Sequence, residues 1–296
     1  MLSIFTVPKP FVGRIGEIQR NAIESWSALS PDVQVILVGD ESGTAEIARD
    51  AGVDHVGGLV RNKRGTPQLD SAFALVSTVA RSRLWCLANA DVVLLDDFSD
   101  AVKRVAAAFD SFVMIGECRD LALAPHADLR DLRARALANG RLRGWAALDY
   151  FVFPQGLFDP LPPFLIGRAC FDNWLVWRAR DRRHPVVDAT RAVVAVHQSH
   201  DYSHVPGGLE EAYYGEEARY NERLAGGREH IYSLHDATHR LYRIGPPIRY
   251  LLSVGRLRER ARVAKAVYDA RSPVRRTART RRRRAPRECS TDRSLP

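Results

Sequence analysis

The sequence predicts an α/β protein, a mostly parallel sheet covered by helices. Short apolar runs rich in β-branched residues alternate with segments whose apolar residues recur at helical spacing. Two of those runs stop at acidic turns, Gly39-Asp40-Glu41 and Asn89-Ala90-Asp91. No internal repeat breaks the alternation.

Met1–Val7 reads as the first strand, closed by Pro8-Lys9-Pro10. Ile15, Ile18, Ala22, Ile23, Trp26 and Leu29 then share one face of a helix over 15–29. Val33–Val38 is an apolar-rich strand ending at Gly39-Asp40-Glu41, followed by a short helix over Thr44–Ala51 and a short strand over Gly52–Val56. Arg61–Pro67 is a polar Gly/Pro loop, and Pro67 suits the first turn of a helix over Leu69–Ala80. Arg83–Ala88 is the strand that feeds Asn89-Ala90-Asp91. Asp97 caps a helix running through Phe109, and Phe112–Ile115 is another strand. Leu121–Leu142, alternately charged and apolar, reads as a surface helix. Leu148–Phe153 and Ala192–Val196 are further strands, with a helix over Asp172–Arg180 between them.

At 296 residues, 46% hydrophobic and 27% charged, the chain can bury a substantial core. No apolar run approaches the ~20 residues that span a bilayer. The first residues lack the pattern of a signal peptide, and Cys86, Cys118, Cys170 and Cys289 show no paired spacing. A reduced cytoplasmic compartment is expected. The net charge of +9 is concentrated: Arg256–Pro296 holds 15 Lys+Arg against 4 Asp+Glu, which leaves the body nearly neutral. Three segments follow: an α/β domain over 1–245, a basic amphipathic helical segment over 246–271, and an Arg-rich disordered tail over 272–296.

Carboxylates at strand ends are placed for chemistry, because ligands of open α/β sheets lie outside the carboxyl ends of the strands. Asp91 is either an oxygen ligand for a hard cation or a turn-capping, solvated residue. Asp40 either bonds a ribose or base edge or serves as an N-cap. His197, His200 and His204 fall within eight residues directly after a strand, which makes a metal ligand among them plausible. Asp172 opens an apolar helix after a Gly-containing turn, as a catalytic base or an ordinary N-cap. Asp149 either contacts sugar hydroxyls or starts a strand. Trp145 and Trp174 either stack on a sugar or nucleotide or pack in the core. Lys9, Lys63, Arg64 and Arg168 are the candidates for phosphate. Neither a Walker P-loop nor a GxGxxG fingerprint is present, and the Gly-rich loop of sugar nucleotidylyltransferases is missing too.

Taken in order, Phe5–Phe11, Val35–Glu41, Gly65–Asp70, Asn89–Asp91, Asp149–Pro154, Asp172–Trp174 and His197–Asp201 resemble the motifs of nucleotide-diphospho-sugar glycosyltransferases with the GT-A fold. More narrowly they are similar to a bacterial and plant set of such enzymes, over roughly Met1 to Gly227. The resemblance implies a Rossmann-like mixed sheet and sugar transfer from a nucleotide-diphosphate donor to a hydroxyl acceptor. It places Thr6, Pro8 and Asp40 at the nucleotide and Asp70 at the ribose or donor sugar. Asp91 becomes the last carboxylate of a DxD motif, with His197 or His200 completing the coordination of Mn2+ or Mg2+. Asp172 is implied as the base of an inverting enzyme. One position departs: the first Asp of DxD is Asn89, which still offers an oxygen to ribose or metal but removes a charge.

Two other functions fit parts of the sequence. A metal-dependent hydrolase would use His197, His200, Asp201 and His204 but leave Asp40, Asp70 and Asp91 idle. A non-catalytic protein with a decayed GT-A fold would bind anionic polymers through the tail. The tail suits an anionic membrane surface on the inner face, and without interleaved aromatics or a recognition fold it predicts no specific nucleic-acid binding.

Overall fold

In the computed structural model of the chain, residues 2–200 and 208–250 are described. In chain order the elements are β1 (Leu2–Thr6), α1 (Gly13–Ser27), β2 (Val33–Val38), α2 (Thr44–Ala51), β3 (Asp54–Val56), α3 (Leu69–Val79), β4 (Leu84–Ala88), β5 (Val92–Val93), α4 (Asp96–Ala108), β6 (Val113–Ile115) and β7 (Arg119–Leu121). There follow α5 (Leu132–Asn139), β8 (Arg141–Leu142), β9 (Tyr150–Pro154), α6 (Phe171–Asp181), β10 (Val186–Asp188), β11 (Val196–Gln198), α7 (Gly208–Tyr214), α8 (Glu216–Leu224), β12 (His239–Arg240) and β13 (Ile248–Arg249).

A nine-stranded mixed sheet forms the centre, in the order β13-β12-β10-β6-β9-β4-β1-β2-β3. β1 is buried along its whole length between parallel neighbours β2 and β4. Such a strand has two apolar faces. Ile4 joins the core beneath α1 and α4, while Phe5 joins the core beneath α3 and α6. Because β1, β2 and β4 run parallel, Thr6, Asp40 and Asn89 come out on one rim. β9 runs antiparallel to β4 with Ala88 facing Tyr150, so Asp149 reaches that rim from the other direction.

A four-stranded sheet, β5-β11-β7-β8, stands beside the first. The chain passes from one to the other through Asn89-Ala90-Asp91, the link between β4 and β5. β11 pairs antiparallel with β5, setting His197 opposite Val92, and parallel with β7, setting His197 opposite Asp120. Buried Gln198 fixes that position: its amide donates to Ile18 O at 2.7 Å and accepts from Asn21 at 2.8 Å, tying β11 to α1. Trp26, also buried, donates from its indole to Val92 O at 2.9 Å.

Several expectations change. The helix expected over Leu121–Leu142 is limited to α5, with β7 and β8 on either side. Leu121, Leu123, Leu129 and Leu132 pack with Val93 and Val196 as a small core of their own, so tertiary packing overrides the alternating pattern. The strand expected over Ala192–Val196 begins only at Val196. Residues 192–195 are buried but follow a turn, with the Ala192 and Val193 amides both bonded to Ala189 O. β10, α7 and α8 were not anticipated. Of the segment 246–271 only 246–250 are described, and there Ile248–Arg249 form a strand rather than a helix; the rest of it and the 272–296 tail lie outside the described residues. No helix among the described residues is long and apolar enough to cross a membrane.

Gln198→Leu removes a side chain that pairs two buried polar groups of α1. The Ile18 carbonyl and the Asn21 amide lose that partner, and stability is expected to fall by about 2–4 kcal/mol in urea denaturation, with the m-value unchanged.

Candidate active site

A cleft of about 330 Å3 opens at the rim where the two sheets meet. Thr6, Pro8 and Lys9 line it after β1, Asn89 and Asp91 after β4, Asp149 before β9, and Asp172 at the start of α6. His197 and His200 close it from β11 and the residues after it. All eight predicted site residues other than Asp40 and Asp70 thus share one cavity, the two imidazoles among them.

Asp91 is the centre. Its Oδ2 lies 2.9 Å from His200 Nε2 and 3.7 Å from His197 Nε2. Its Oδ1 is buried without a hydrogen-bond partner. One ligand atom from each of Asp91, His197 and His200 lies within 4.8 Å of the others, the metal-capable group among the described residues. Burial raises the Asp91 carboxyl, but the His200 hydrogen bond and the charges of His197 and Lys9 outweigh it and hold the group well below the usual carboxylate range. Lys9 is lowered by burial, with Asp91 opposing. Its backbone is pinned by Gln19, which accepts from Lys9 N at 2.7 Å and donates to Lys9 O at 2.9 Å.

The donor set suits a divalent cation. A carboxylate with an unpartnered buried oxygen supplies a hard ligand, and imidazole nitrogens shift the preference from magnesium toward manganese or zinc.

Around this group lies a network that motif reasoning missed. Arg143 pairs with Asp120 at 2.8 Å and with Asp149 at 3.1 Å, and its guanidinium also meets His197 Nδ1. His197 Nδ1 lies 2.8 Å from Asp120 Oδ1, an outer partner of the kind that orients metal-binding imidazoles. Asn89 donates from its amide to Asp149 Oδ1 at 3.1 Å, and its backbone N–H donates to Asp149 O at 2.9 Å. Burial raises the Asp149 carboxyl, with Arg143 opposing.

Residues 166–169 and 171–173, leading into α6, line another part of the cleft, and α8 braces them from behind. Buried Glu217 accepts from Arg168 at 2.8 Å and from Thr66 at 2.9 Å, joining the 61–67 loop to the 165–169 loop. Buried Asn221 accepts from Leu165 N at 2.8 Å and donates to Leu165 O at 2.9 Å. Cys170 adopts φ 86°, a left-handed conformation that costs a non-glycine residue roughly 1–3 kcal/mol. α6 starts directly after it, with Asp172 in the first turn. Burial pushes the Asp172 carboxyl up to about 7; the Asn173 N–H opposes the shift and the Asp149 charge adds to it. Its Oδ1 is buried without a hydrogen-bond partner.

Other predicted residues lie elsewhere. Asp40 accepts from Gly58 N at 2.7 Å, tying the residues after β2 to those after β3; its neighbour Glu41, paired with Arg61 at 2.6 Å, lines the cleft instead. Asp70 sits in the first turn of α3, off the cleft lining, with a buried Oδ1 that has no hydrogen-bond partner. Of the phosphate candidates, Lys9 and Arg168 reach the cleft, whereas Arg64 pairs with Glu216 and Lys63 lies off the lining. Trp174 is core, packed on Phe164, and Trp145 lies against His235. Asp201 and His204 lie outside the described residues.

No protein-family model matches the chain, and no curated protein shows significant sequence similarity to it. The structure is similar in fold to several glycosyltransferases. S. aureus TarS 1-349 in complex with UDP-GlcNAc is 12% identical with a TM-score of 0.47, over 76% of this chain and 65% of that one. The mannosyltransferase PcManGT from Pyrobaculum calidifontis, in complex with GDP-Man and Mn2+, is 16% identical with a TM-score of 0.42, over 66% and 56%. Glucosyl-3-phosphoglycerate synthase from Mycobacterium tuberculosis, in complex with Mg2+ and UDP, is 16% identical with a TM-score of 0.45, over 77% and 80%. The chain spans less than two thirds of the length of the TarS structures it matches. What the cleft can do is set by its own side chains.

The raised Asp172 carboxyl has a thermodynamic consequence. Its native value lies above that of the unfolded chain, so ionisation destabilises the fold as pH rises from the usual carboxylate range to about 7. Asp172→Asn is therefore expected to melt several degrees above the unsubstituted protein at pH 8 and level with it at pH 4, by calorimetry.

Proposed function

We propose that the chain is a glycosyltransferase that moves a sugar from a nucleotide-diphosphate donor to a hydroxyl acceptor. The observation that carries this reading is the convergence of Asp91, His197 and His200 in the same cleft as the basic residues Lys9 and Arg168 and the buried carboxyl of Asp172. A diphosphate leaving group needs positive charge opposite it, and an attacking hydroxyl needs a proton acceptor. The cleft holds groups suited to both tasks.

Asp91, His197 and His200 would hold a divalent cation, which when bound neutralises charge on the departing diphosphate. Lys9 and Arg168 add fixed positive charge to the cleft, and Glu217 keeps Arg168 in place. Thr6 and Pro8 border the nucleotide end. Asp149 and Asn89, locked to each other, offer hydrogen bonds to ribose or sugar hydroxyls. Asp172 takes the acceptor proton, and a carboxyl titrating near 7 is matched to that role at neutral pH. The acceptor, the donor sugar and a hexosyl group are finer assignments within the same reading, as is a cytoplasmic enzyme held at an anionic membrane by its basic segment. A hydrolase built on the histidines is less economical, because it leaves Lys9, Arg168 and Asp172 of the same cleft without a role.

Calorimetry with UDP and GDP, with and without Mn2+, tests the donor site. Nucleotide affinity is expected to rise with metal, and Asp91→Asn or His200→Ala should remove that gain by tenfold or more. Absence of nucleotide binding under every condition would sink the transferase. For the base, Asp172→Asn should keep nucleotide affinity while transfer falls about 10²–10⁴-fold. The transfer rate of the unsubstituted enzyme should climb with pH through about 7, as the carboxylate forms.

A further inference from the structure

β7, α5 and the 190–195 segment enclose a second cavity of about 170 Å3 that shares no lining residue with the cleft. Four arginines line it: Arg119, Arg133, Arg191 and Arg243. Arg133 is paired with Asp97, and Arg119 donates to Gly140 O at 2.9 Å. Arg191 and Arg243 are exposed and have no side-chain partner among the described residues. Glu117 is the acidic residue of the lining, and its carboxylate accepts from Gly144 N at 2.6 Å. Among the described residues the cavity therefore keeps a positive excess with nothing to answer it.

Its rim is apolar. Leu137 and Leu142 line the same cavity yet are 49% and 40% exposed. Arg243 sits between Tyr242, 44% exposed, and Ile244, 89% exposed, in the turn from β12 to β13. That turn is built rather than loose. Arg104 of α4 donates to Gly245 O at 3.0 Å, to Arg243 O at 3.1 Å and to Tyr242 O, so one guanidinium satisfies three carbonyls. With those carbonyls drawn inward, the turn presents Ile244 outward at no further ordering cost.

We propose that this face docks on an anionic phospholipid bilayer, with a lipid phosphate in the arginine-lined cavity and Ile244 in the interfacial layer. Unpaired arginines beside exposed leucines, an isoleucine and a tyrosine are the chemistry of a membrane-surface contact, in which cations meet headgroups and apolar side chains enter the acyl boundary. A soluble phosphate would leave Leu137, Leu142 and Ile244 without work. A nucleic acid calls for a basic stripe with stacking aromatics, and the apolar rim opposes it. The surface is independent of the glycosyltransferase reading and of the basic residues beyond 255.

The full chain tests it at a position those residues do not report. Ile244→Trp places an indole at the tip of the turn. With phosphatidylcholine–phosphatidylglycerol vesicles its added emission should shift to the blue and be quenched by brominated lipid, and with phosphatidylcholine alone neither should occur. Each basic group near such a surface is worth roughly fivefold in partitioning. Arg191→Glu with Arg243→Glu, both at exposed positions, should therefore lower vesicle binding at least tenfold and abolish the quenching. Vesicle binding with the indole still open to aqueous quenchers would overturn the proposal, because another part of the chain would then make the contact. Saturable binding of inorganic phosphate or RNA that depends on Arg191 and Arg243, with no indole insertion, would overturn it as well.

Discussion

The cleft depends on one shared residue, Asp91, which leaves the large sheet and enters the small one. Its carbonyl accepts the Gln198 N–H at 3.0 Å, and its carboxylate meets His200. Backbone and side chain thus secure the same junction. The register of β11 follows from it, and register decides which side chain faces the cleft. A slip of one residue would turn His197 away and present Val196 or Gln198. Both are fully buried where they stand, Val196 in the small core and Gln198 against α1, so the slip would cost packing and hydrogen bonds together.

Holding three carboxylates near each other demands compensation. Asp91, Asp120 and Asp149 gather around Arg143, with Lys9 and two imidazoles beside them. Arg143 and Asp149 are both largely shielded from water, and a buried pair of this kind contributes little net stability. Its effect here is on geometry: Arg143 links β7, β9 and β11 through Asp120, Asp149 and His197. The same economy appears behind another part of the cleft, where Glu217 gathers Asn62, Thr66 and Arg168. Each part is organised by a single buried charge that several loops share.

Legibility in the sequence follows from how local each signal is. An apolar run ending in a carboxylate is a contiguous pattern, so Asp91 and the β1, β2 and β4 strands could be read directly. The helical spacing of Ile18, Ala22 and Trp26 was equally plain. Arg143 and Asp120 fell at the borders of a segment whose alternating charges imitate a surface helix, and their meaning comes from partners in β9 and β11. Glu217 and Asn221 sit on a helix whose burial on the 165–169 loop no periodicity reveals. Asp40 and Glu41 are adjacent carboxylates after one strand. Only the course of the chain after β3, where Gly58 N donates to Asp40, decides that Glu41 faces the cleft.

Asn89, where the sequence resemblance expects an aspartate, is coherent with its surroundings. Its side-chain amide donates to the buried carboxylate of Asp149, and its backbone N–H to the Asp149 carbonyl. A carboxylate at position 89 would supply no side-chain donor and would set a second negative charge against Asp149, where Arg143 is already divided between two acids and His197. Two like charges that close raise the pKa of at least one of them. The amide removes that conflict, leaving Asp149 accepting from Asn89 and paired with Arg143. The negative charge absent from the turn is thus present on β9's side of the same cleft, and the imidazoles of His197 and His200 stand beside Asp91.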